Sequence, residues 1–523
     1  MPTERNLIHA VAWTLLGACL FFLSFPPFDF AGLAYVALAP LLIATDGCSP
    51  RRALLLGWLY ATVGCSAAVS TSIYEASLRY FHYSAWLRMA FTAAVPQIYA
   101  APYVAVFAWA AAVSSRRAGR SSARVLVVAS AWVASEYGRV SVGHGAPWLL
   151  LGHTQHGLLP MIQIADLAGV FGVSFVVAVV NAAVAELWLA GRGIVRAATA
   201  RRSLAVAATV VGVSLLYGVV QLKQWDEPDG ESIRIAVVQG DIPLEWRSRL
   251  VNLPRALRRM EELTRSVGGF AADLVIWPEN SIGFAAEAND ELFRRIARAI
   301  PSRAMLLVGA PRSTGTSAAG SHFYNSAFLI TPGGEVAATY DKIQLTPFAE
   351  YVPWPIDSFS AGGAYGTATY ESGSRRTVFP IKASSFSVLI CYEAIYADIA
   401  RSFVRAGAEL LVNISNDDWF AGRPALQQHL IGALFRAVEF RRFLVRATNS
   451  GLTVLVTPTG RVAESLPQET PATMTGTVVS IDHRSPYSRW GGVFAVACLL
   501  VSIVSTGNTL RDSRRARRTN HER

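Results

Sequence analysis

Charge is scarce in this sequence. Of its 523 residues only 16% are Asp, Glu, Lys or Arg, against 52% hydrophobic, a balance that points away from an ordinary soluble enzyme. Lysine is scarcer still: only Lys223, Lys342 and Lys382 among 47 basic residues, so arginine serves wherever a bare positive charge suffices. Five cysteines with no Cys-x-x-Cys pair exclude a disulfide scaffold and a thioredoxin-type redox motif. The chain also lacks a phosphate loop ending in Gly-Lys-Ser/Thr, a Gly-x-Ser-x-Gly elbow and a His-Glu-x-x-His pair. It therefore offers no motif for a P-loop nucleotidase, a serine hydrolase of the elbow type or a zinc protease. His144, His153 and His156 are too irregularly spaced for a metal site and read as structural or interfacial.

What is present is a set of long apolar runs. A bilayer core of roughly 30 Å takes about 20 apolar helical residues. Eight runs approach that size, near 7–24, 31–45, 54–73, 87–113, 125–137, 167–190, 203–221 and 490–507, the second and fifth being short. The first is read as an uncleaved helix, since no small-residue cleavage site follows it and Ser24-Phe25-Pro26-Pro27-Phe28 leads directly into the next run. The arginines alternate along this frame. Arg5, then Arg51 and Arg52, then Arg116, Arg117, Arg120 and Arg124, then Arg192, Arg196, Arg201 and Arg202 fall on one side, together with the tail from Arg511 to Arg523. The positive-inside rule accordingly predicts cytoplasmic termini and places the polar stretch between runs seven and eight on the outer face of the membrane. The net charge of +11 follows from these loops and the tail and does not call for a nucleic-acid partner. The expected organisation is a membrane domain over 1–228, a catalytic domain over 229–486, a closing transmembrane helix over 487–510 and a basic tail over 511–523.

From Ile233 onward the pattern changes to short β-branched runs between amphipathic stretches. Strands are predicted over Ile233–Gln239, Asp273–Trp277, Met305–Gly309, Ala327–Thr331, Val336–Tyr340, Ser387–Cys391, Leu410–Ser415, 452–457 and 474–481. Helices are predicted over 251–267, 288–299, 395–406 and 424–442. This alternation indicates a layered α/β domain.

Reactive groups stand at the ends of three of those strands, where sites form in open α/β sheets. Glu279 closes Leu274-Val275-Ile276-Trp277-Pro278-Glu279, Lys342 follows Val336–Tyr340, and Cys391 with Glu393 closes Val388-Leu389-Ile390-Cys391-Tyr392-Glu393. Cys391 is the only cysteine of the predicted outer domain, and an unpaired thiol in an oxidising compartment is a liability unless buried or used. A thiol becomes a strong nucleophile when a base takes its proton, and an ammonium can stabilise the oxyanion that follows. Glu279 as base, Lys342 as cation and Cys391 as nucleophile supply that combination, with the Tyr392 N–H as a second oxyanion donor. The loop 347–371 is rich in aromatics and glycine, which suits either a lid at the membrane interface or an ordinary packed loop.

The strings Trp277-Pro278-Glu279, Tyr340-Asp341-Lys342, Pro347-Phe348-Ala349-Glu350-Tyr351-Val352-Pro353 and Ile390-Cys391-Tyr392-Glu393 closely resemble the nitrilase superfamily. Within it the chain is similar to the apolipoprotein N-acyltransferases. That likeness also runs through Ser24-Phe25-Pro26-Pro27, Pro147-Trp148-Leu149, Gly169-Val170-Phe171-Gly172, Asn181-Ala182, Gln239-Gly240, Asn416-Asp417-Asp418-Trp419-Phe420 and Arg446-Ala447-Thr448-Asn449-Ser450-Gly451. The resemblance implies an α-β-β-α sandwich on a helical membrane domain of about eight spans, in the bacterial cytoplasmic membrane. It implies Glu279 as general base, Lys342 as oxyanion stabiliser, Cys391 as nucleophile, Glu350, Tyr392 and Glu393 as supporting residues, and Trp246, Trp419 and Trp148 as substrate contacts. The implied reaction moves an acyl chain from a membrane phospholipid, through a Cys391 thioester, to the N-terminal amine of an S-diacylglyceryl-cysteine apolipoprotein. It needs no metal or organic cofactor and no nucleic acid, and the implied state is a monomer. Two other classes stay open on the residues alone: a membrane-tethered amidase using water as acceptor, and a transporter-like or scaffolding protein.

Overall fold

The computed structural model describes residues 7–80, 84–116, 121–142, 145, 147–243, 246, 250–283, 290–300, 304–314, 322–347, 349–351, 370–419 and 423–521. The chain forms two compact units, one built from Met1–Leu78, His82–Leu222 and Trp490–Arg523 and the other mainly from Lys223–Arg489.

The first unit is helical. Among the described residues, five stretches are long and apolar enough to cross a membrane: Pro50–Ser70, Ala85–Ser114, Val170–Gly191, Ala197–Gln224 and Val493–Ser513. Leu7–Leu23 and Ala31–Thr45 are apolar but shorter. The helix Arg124–Ser141 carries Arg124, Glu136 and Arg139, all three buried. Arg124 meets its charge partner in Glu186, as an ionised group inside an apolar unit must. The 31–45 segment, expected as one run, is a 3-10 turn followed by the short helices Ala34–Ala37 and Ala39–Thr45. Asn181 holds that break: its Oδ1 accepts the Leu38 and Ala39 N–H groups at 2.7 and 3.1 Å, and its Nδ2 donates to Ala34 O and Val177 O. Packing is close where residues are small. A Cβ on Gly57 would stand 2.6 Å from Val104 O and from Ala108 Cβ, so only glycine lets those helices approach. Leu216, Val213, Ile503 and Val504 are more than half exposed, the pattern of helix faces meant for lipid rather than water.

Among its described residues the second unit forms two six-stranded sheets. Along the chain the strands are β1 (Ser232–Gln239), β2 (Leu274–Ile276), β3 (Met305–Thr314), β4 (His322–Ile330), β5 (Val336–Asp341), β6 (Val378–Ile381), β7 (Ser384–Ile390), β8 (Leu410–Ser415), β9 (Leu444–Thr448), β10 (Val454–Val456), β11 (Val462–Ser465) and β12 (Ala472–Val479). The first sheet runs β12-β1-β2-β3-β4-β5 and the second β11-β10-β9-β8-β7-β6. Each has three parallel central strands, β1-β2-β3 and β7-β8-β9, with antiparallel strands outside. Every residue of β8 and β9 is buried, as expected of strands covered on both faces, whereas all four residues of the edge strand β11 are exposed.

The sheets stack with β1 against β9 and β4 against β7. On the outer face of the first, Leu257 and Met260 of the helix Leu253–Ser266 and Phe293 and Ile296 of the helix Asp290–Ala297 share one core with Val238, Val275, Leu306 and Val308. The helices Ala397–Arg405 and Arg423–Phe440 pack on β7 and β9 of the second. The result is four layers: helices, sheet, sheet, helices. Glu279 and Cys391 follow the carboxyl ends of parallel strands β2 and β7, and Lys342 follows the antiparallel strand β5.

Candidate active site

The turn after β2 brings Glu279 into a space made by an absence. A Cβ on Gly309 of β3 would lie 2.6 Å from Glu279 Cα and from Pro278 O, and 2.8 Å from Asn280 N. Glycine at that position is what lets the Trp277-Pro278-Glu279 turn lie against β3. Glu279 is nearly sealed from solvent. Its Oε1 accepts from Asn325 Nδ2 at 2.7 Å and its Oε2 from the Asn416 N–H at 2.7 Å.

Lys342 emerges from β5 with its own N–H donated to Asn325 O at 2.8 Å and is 1% exposed. Its Nζ stands 2.8 Å from Glu350 Oε2 and 3.8 Å from Glu279 Oε1. Glu350 in turn accepts from the Thr346 N–H and from Asn325 Nδ2, both at 2.7 Å. One asparagine therefore bridges both carboxylates, and one ammonium lies between them. Two buried carboxylates without a cation would repel each other, so Lys342 compensates both.

Cys391 is the first residue past β7, buried, with φ of +50°. That left-handed conformation is uncommon for a residue with a Cβ and persists where the surroundings fix it. Glu393 does part of the fixing. Its Oε2 accepts the Ile390 N–H at 2.8 Å, while its Oε1 accepts Tyr340 Oη at 2.6 Å and the Ile343 and Gln344 N–H groups at 2.7 and 3.0 Å. One carboxylate thus ties the segment that carries the thiol to the segment that carries the ammonium.

The charges follow from burial and neighbours. Burial pushes the Glu279 carboxyl up, Lys342 pulls it down and Glu350 pushes it up again, leaving it above the ordinary carboxylate range. Burial alone would lower Lys342, but Glu350, Cys391 and Glu279 outweigh it and hold the ammonium well above its usual value. Burial and the Glu279 carboxylate raise the Cys391 thiol, with Lys342 opposing, so the resting sulfur is a thiol that needs a base. Glu279 is placed to be that base, and Lys342 to balance negative charge formed beside the sulfur.

Behind Cys391 lies a second polar cluster to which the sequence assigned no role. Arg446 Nη2 donates to both oxygens of Asp417 at 2.8 and 2.9 Å and approaches His429 Nδ1 at 3.0 Å. His429 Nε2 is 3.2 Å from Cys391 O, and Asn413 Nδ2 donates to Leu389 O at 2.8 Å. Burial opposes the charge on Asp417, yet Arg446 and His429 hold its carboxyl far below the usual range. Burial and Arg446 lower His429, with Asp417 opposing. Asn325, Asn413, His429 and the charged pair Asp417–Arg446 were not among the expected site residues. Asp417 and Arg446 did stand in two of the strings that carry the family resemblance.

Of the expected supporting residues, Glu350 and Glu393 join the cluster, and Tyr392 is buried beside Cys391 with its ring edge-on to Tyr396. Trp246 packs half-buried on the core under the helix Leu253–Ser266 and lies beneath the guanidinium groups of Arg255 and Arg259, at 3.8 and 4.6 Å. Trp148 belongs to the helical unit and packs on that unit's core. The side chain of Trp419 lies outside the described residues, as do Phe348 and 352–369 of the expected lid. At the end of that loop, Tyr370 donates its N–H to Glu350 O at 3.1 Å, and its phenol is pushed up to about 12 by burial and by Glu350 and Glu279.

Residues 17–183 match the family model described as the apolipoprotein N-acyltransferase N-terminal domain, and residues 234–484 match the carbon-nitrogen hydrolase model. The chain is 32% identical over 513 residues to an apolipoprotein N-acyltransferase of Geobacter metallireducens, covering 95% of this chain and 94% of the relative. Proteins of the same name from Pseudomonas syringae pv. tomato and Azotobacter vinelandii are 30% and 31% identical, covering 92% and 89% of this chain and 93% and 88% of theirs. Among solved structures, an amidase from Nesterenkonia sp. aligns at 21% identity with a TM-score of 0.37, over 50% of this chain and 94% of that one.

Proposed function

The chain belongs to the apolipoprotein N-acyltransferase family, and from that premise we propose that it carries an acyl chain from a membrane phospholipid to the N-terminal amine of an S-diacylglyceryl-cysteine lipoprotein, through a thioester on Cys391. The observation that carries this reading is the ammonium of Lys342 held between Glu279 and Glu350 and interacting with Cys391, whose backbone is held at a φ of +50°.

In the first step Glu279 takes the thiol proton as Cys391 Sγ bonds to an ester carbonyl carbon of the phospholipid. The oxyanion so formed is stabilised by Lys342 and the Tyr392 N–H. When the carbonyl re-forms, the ester C–O bond breaks and Glu279 returns its proton to the departing lysophospholipid oxygen. In the second step the lipoprotein amine bonds to the thioester carbon, Glu279 receives the amine proton, and the C–S bond breaks as that proton passes back to sulfur. Both substrates are lipids that cannot leave the bilayer cheaply, which gives a helical membrane unit a purpose that a soluble hydrolase lacks.

In the same reading the chain crosses the membrane eight times, with Leu7–Leu23, the 31–45 segment and Arg124–Ser141 joining the five longer stretches. Residues 1–228 and 487–510 then form the anchor, 229–486 the catalytic domain on the outer face, and both termini lie in the cytoplasm on the arginine pattern. The protein works as a monomer. The test is to add phospholipid and then a diacylglyceryl lipopeptide to the purified full-length protein. The expected product is an N-acylated lipopeptide, absent with Cys391→Ala; release of free fatty acid with the lipopeptide unmodified would make the protein a hydrolase and overturn the reading.

A further inference from the structure

We propose that His429 is a positioning residue that orients the Cys391–Tyr392 peptide, and through it the Tyr392 N–H that meets the oxyanion. The inference rests on the reading of Cys391 as the nucleophile.

Which nitrogen of His429 carries the proton follows from its neighbours. Nδ1 is 3.0 Å from Arg446 Nη2, a group that can only donate, and 3.4 Å from Asp417 Oδ1, an oxygen that already accepts from Arg446 Nη2 at 2.9 Å and from Ser415 Oγ at 2.7 Å; the shorter contact therefore makes Nδ1 the acceptor. Nε2 is 3.2 Å from Cys391 O, a group that can only accept, so Nε2 must donate. The neutral Nε2–H tautomer satisfies both contacts. The other neutral tautomer would set two lone pairs against each other at Cys391 O, and the cation would set two donors against each other at Arg446. Arg446 is held in turn by Asp417 and by Asn413 Oδ1. Every member of this chain of contacts is fully or almost fully buried, so no solvent competes for the imidazole.

The consequence passes through one peptide plane. Among the described residues the only cis bond is Pro26–Pro27, so the Cys391–Tyr392 peptide is trans. In a planar trans peptide the C=O and the following N–H point in opposite directions. Holding Cys391 O toward His429, on the helix Arg423–Phe440, and toward Asn413 of β8 therefore turns the Tyr392 N–H away from them. It also fixes ψ of Cys391, the torsion that the strained φ of +50° leaves to be set from outside. Asn413 shares the carbonyl at 3.5 Å, a weaker contact than that of His429. A donor aimed in advance at a developing oxyanion speeds carbonyl attack without speeding reactions that form no oxyanion.

That difference supplies the test. Full-length wild-type protein, His429→Leu and His429→Gln are compared in two reactions of the same thiol: acylation by phospholipid, followed as the rate of acyl adduct formation by intact mass, and alkylation by iodoacetamide, which makes no oxyanion. Glutamine can accept from Arg446 and donate to Cys391 O. Acylation is expected to fall on the order of 10²-fold in His429→Leu, as for loss of one oxyanion donor. Alkylation should stay near the wild-type rate, and His429→Gln should recover most of the acylation. Should the leucine variant fail to fold, His429→Asn, whose amide is one carbon short of Cys391 O, should show the same split. Equal loss of both reactions, or acylation at the wild-type rate in the leucine and asparagine variants, would overturn the proposal. Absence of any acyl adduct in the wild type would instead overturn the reading on which it rests.

Discussion

Glu350→Gln is the perturbation that most sharply separates the parts of this site. Lys342 Nζ lies 2.8 Å from Glu350 and 3.8 Å from Glu279. At an effective dielectric of about 20 these distances correspond to gross attractions of roughly 6 and 4 kcal/mol, so Glu350 is the firmer tether. Removing its charge should cost about 3–5 kcal/mol of stability, as for other broken buried pairs. It should also release Lys342 toward Glu279. Two kinetic effects follow. The acylation plateau should fall about 10²-fold because the ammonium no longer stands where the oxyanion forms. The acid limb of the pH profile should move to lower pH, because Glu350 is one of the groups raising the Glu279 carboxyl and its loss leaves Lys342 to lower it. Rapid-mixing measurement of thioester formation across the acid limb, with thermal unfolding in parallel, reads both effects. A limb that stays in place or moves upward would refute the arrangement of one ammonium shared by two carboxylates.

Gly309→Ala should destabilise the protein by about 1–3 kcal/mol and depress acylation together, since the new methyl meets backbone at Glu279 and not a side chain that can turn away; unchanged unfolding and rates would contradict the close approach. Glu393→Gln should lower both stability and the acylation rate, the former by about 1–3 kcal/mol, because four donors converge on that carboxylate; unfolding and single-turnover measurements check it. Asp417 has its native carboxyl depressed, so its contribution is fully present above the unfolded value of about 3.9 and is lost as pH falls through the native value. Asp417→Asn should therefore be destabilised at neutral pH, with a smaller loss of stability on acidification than wild type, read by unfolding midpoints across pH.

The family membership was legible in short motifs, and the two-sheet architecture came with that resemblance, whereas the local alternation of strands and helices indicated only a layered α/β domain. Apolar strands ending in Glu279 and Cys391, and a lysine kept in an arginine-rich chain, mark themselves without three-dimensional context. β4 was expected to start at Ala327, but it starts at His322, because His322-Phe323-Tyr324-Asn325-Ser326 is too polar to read as a strand, and Asn325 was lost with that half. β9 was missed because Leu444-Val445-Arg446-Ala447-Thr448 carries a central arginine, which in isolation signals solvent. Here Arg446 is fully buried on Asp417. β6 contains Pro380, tolerated because β6 is an edge strand. The helical break at Leu38 depends on Asn181, more than a hundred residues away, and no local pattern shows such a partner. Trp246 has its own structural setting against Arg255 and Arg259, which an aromatic read by position alone does not reveal.

The central claim is that Cys391 carries the acyl chain between donor and acceptor. The direct measurement is peptide mapping by mass spectrometry of full-length protein quenched after mixing with phospholipid, with and without a subsequent pulse of diacylglyceryl lipopeptide. The account predicts one acyl mass on the peptide containing Cys391, removed by the pulse as the same acyl mass appears on the lipopeptide amine. An acyl group on another residue, or acylated lipopeptide formed while Cys391 stays unmodified at every quench time, would contradict it.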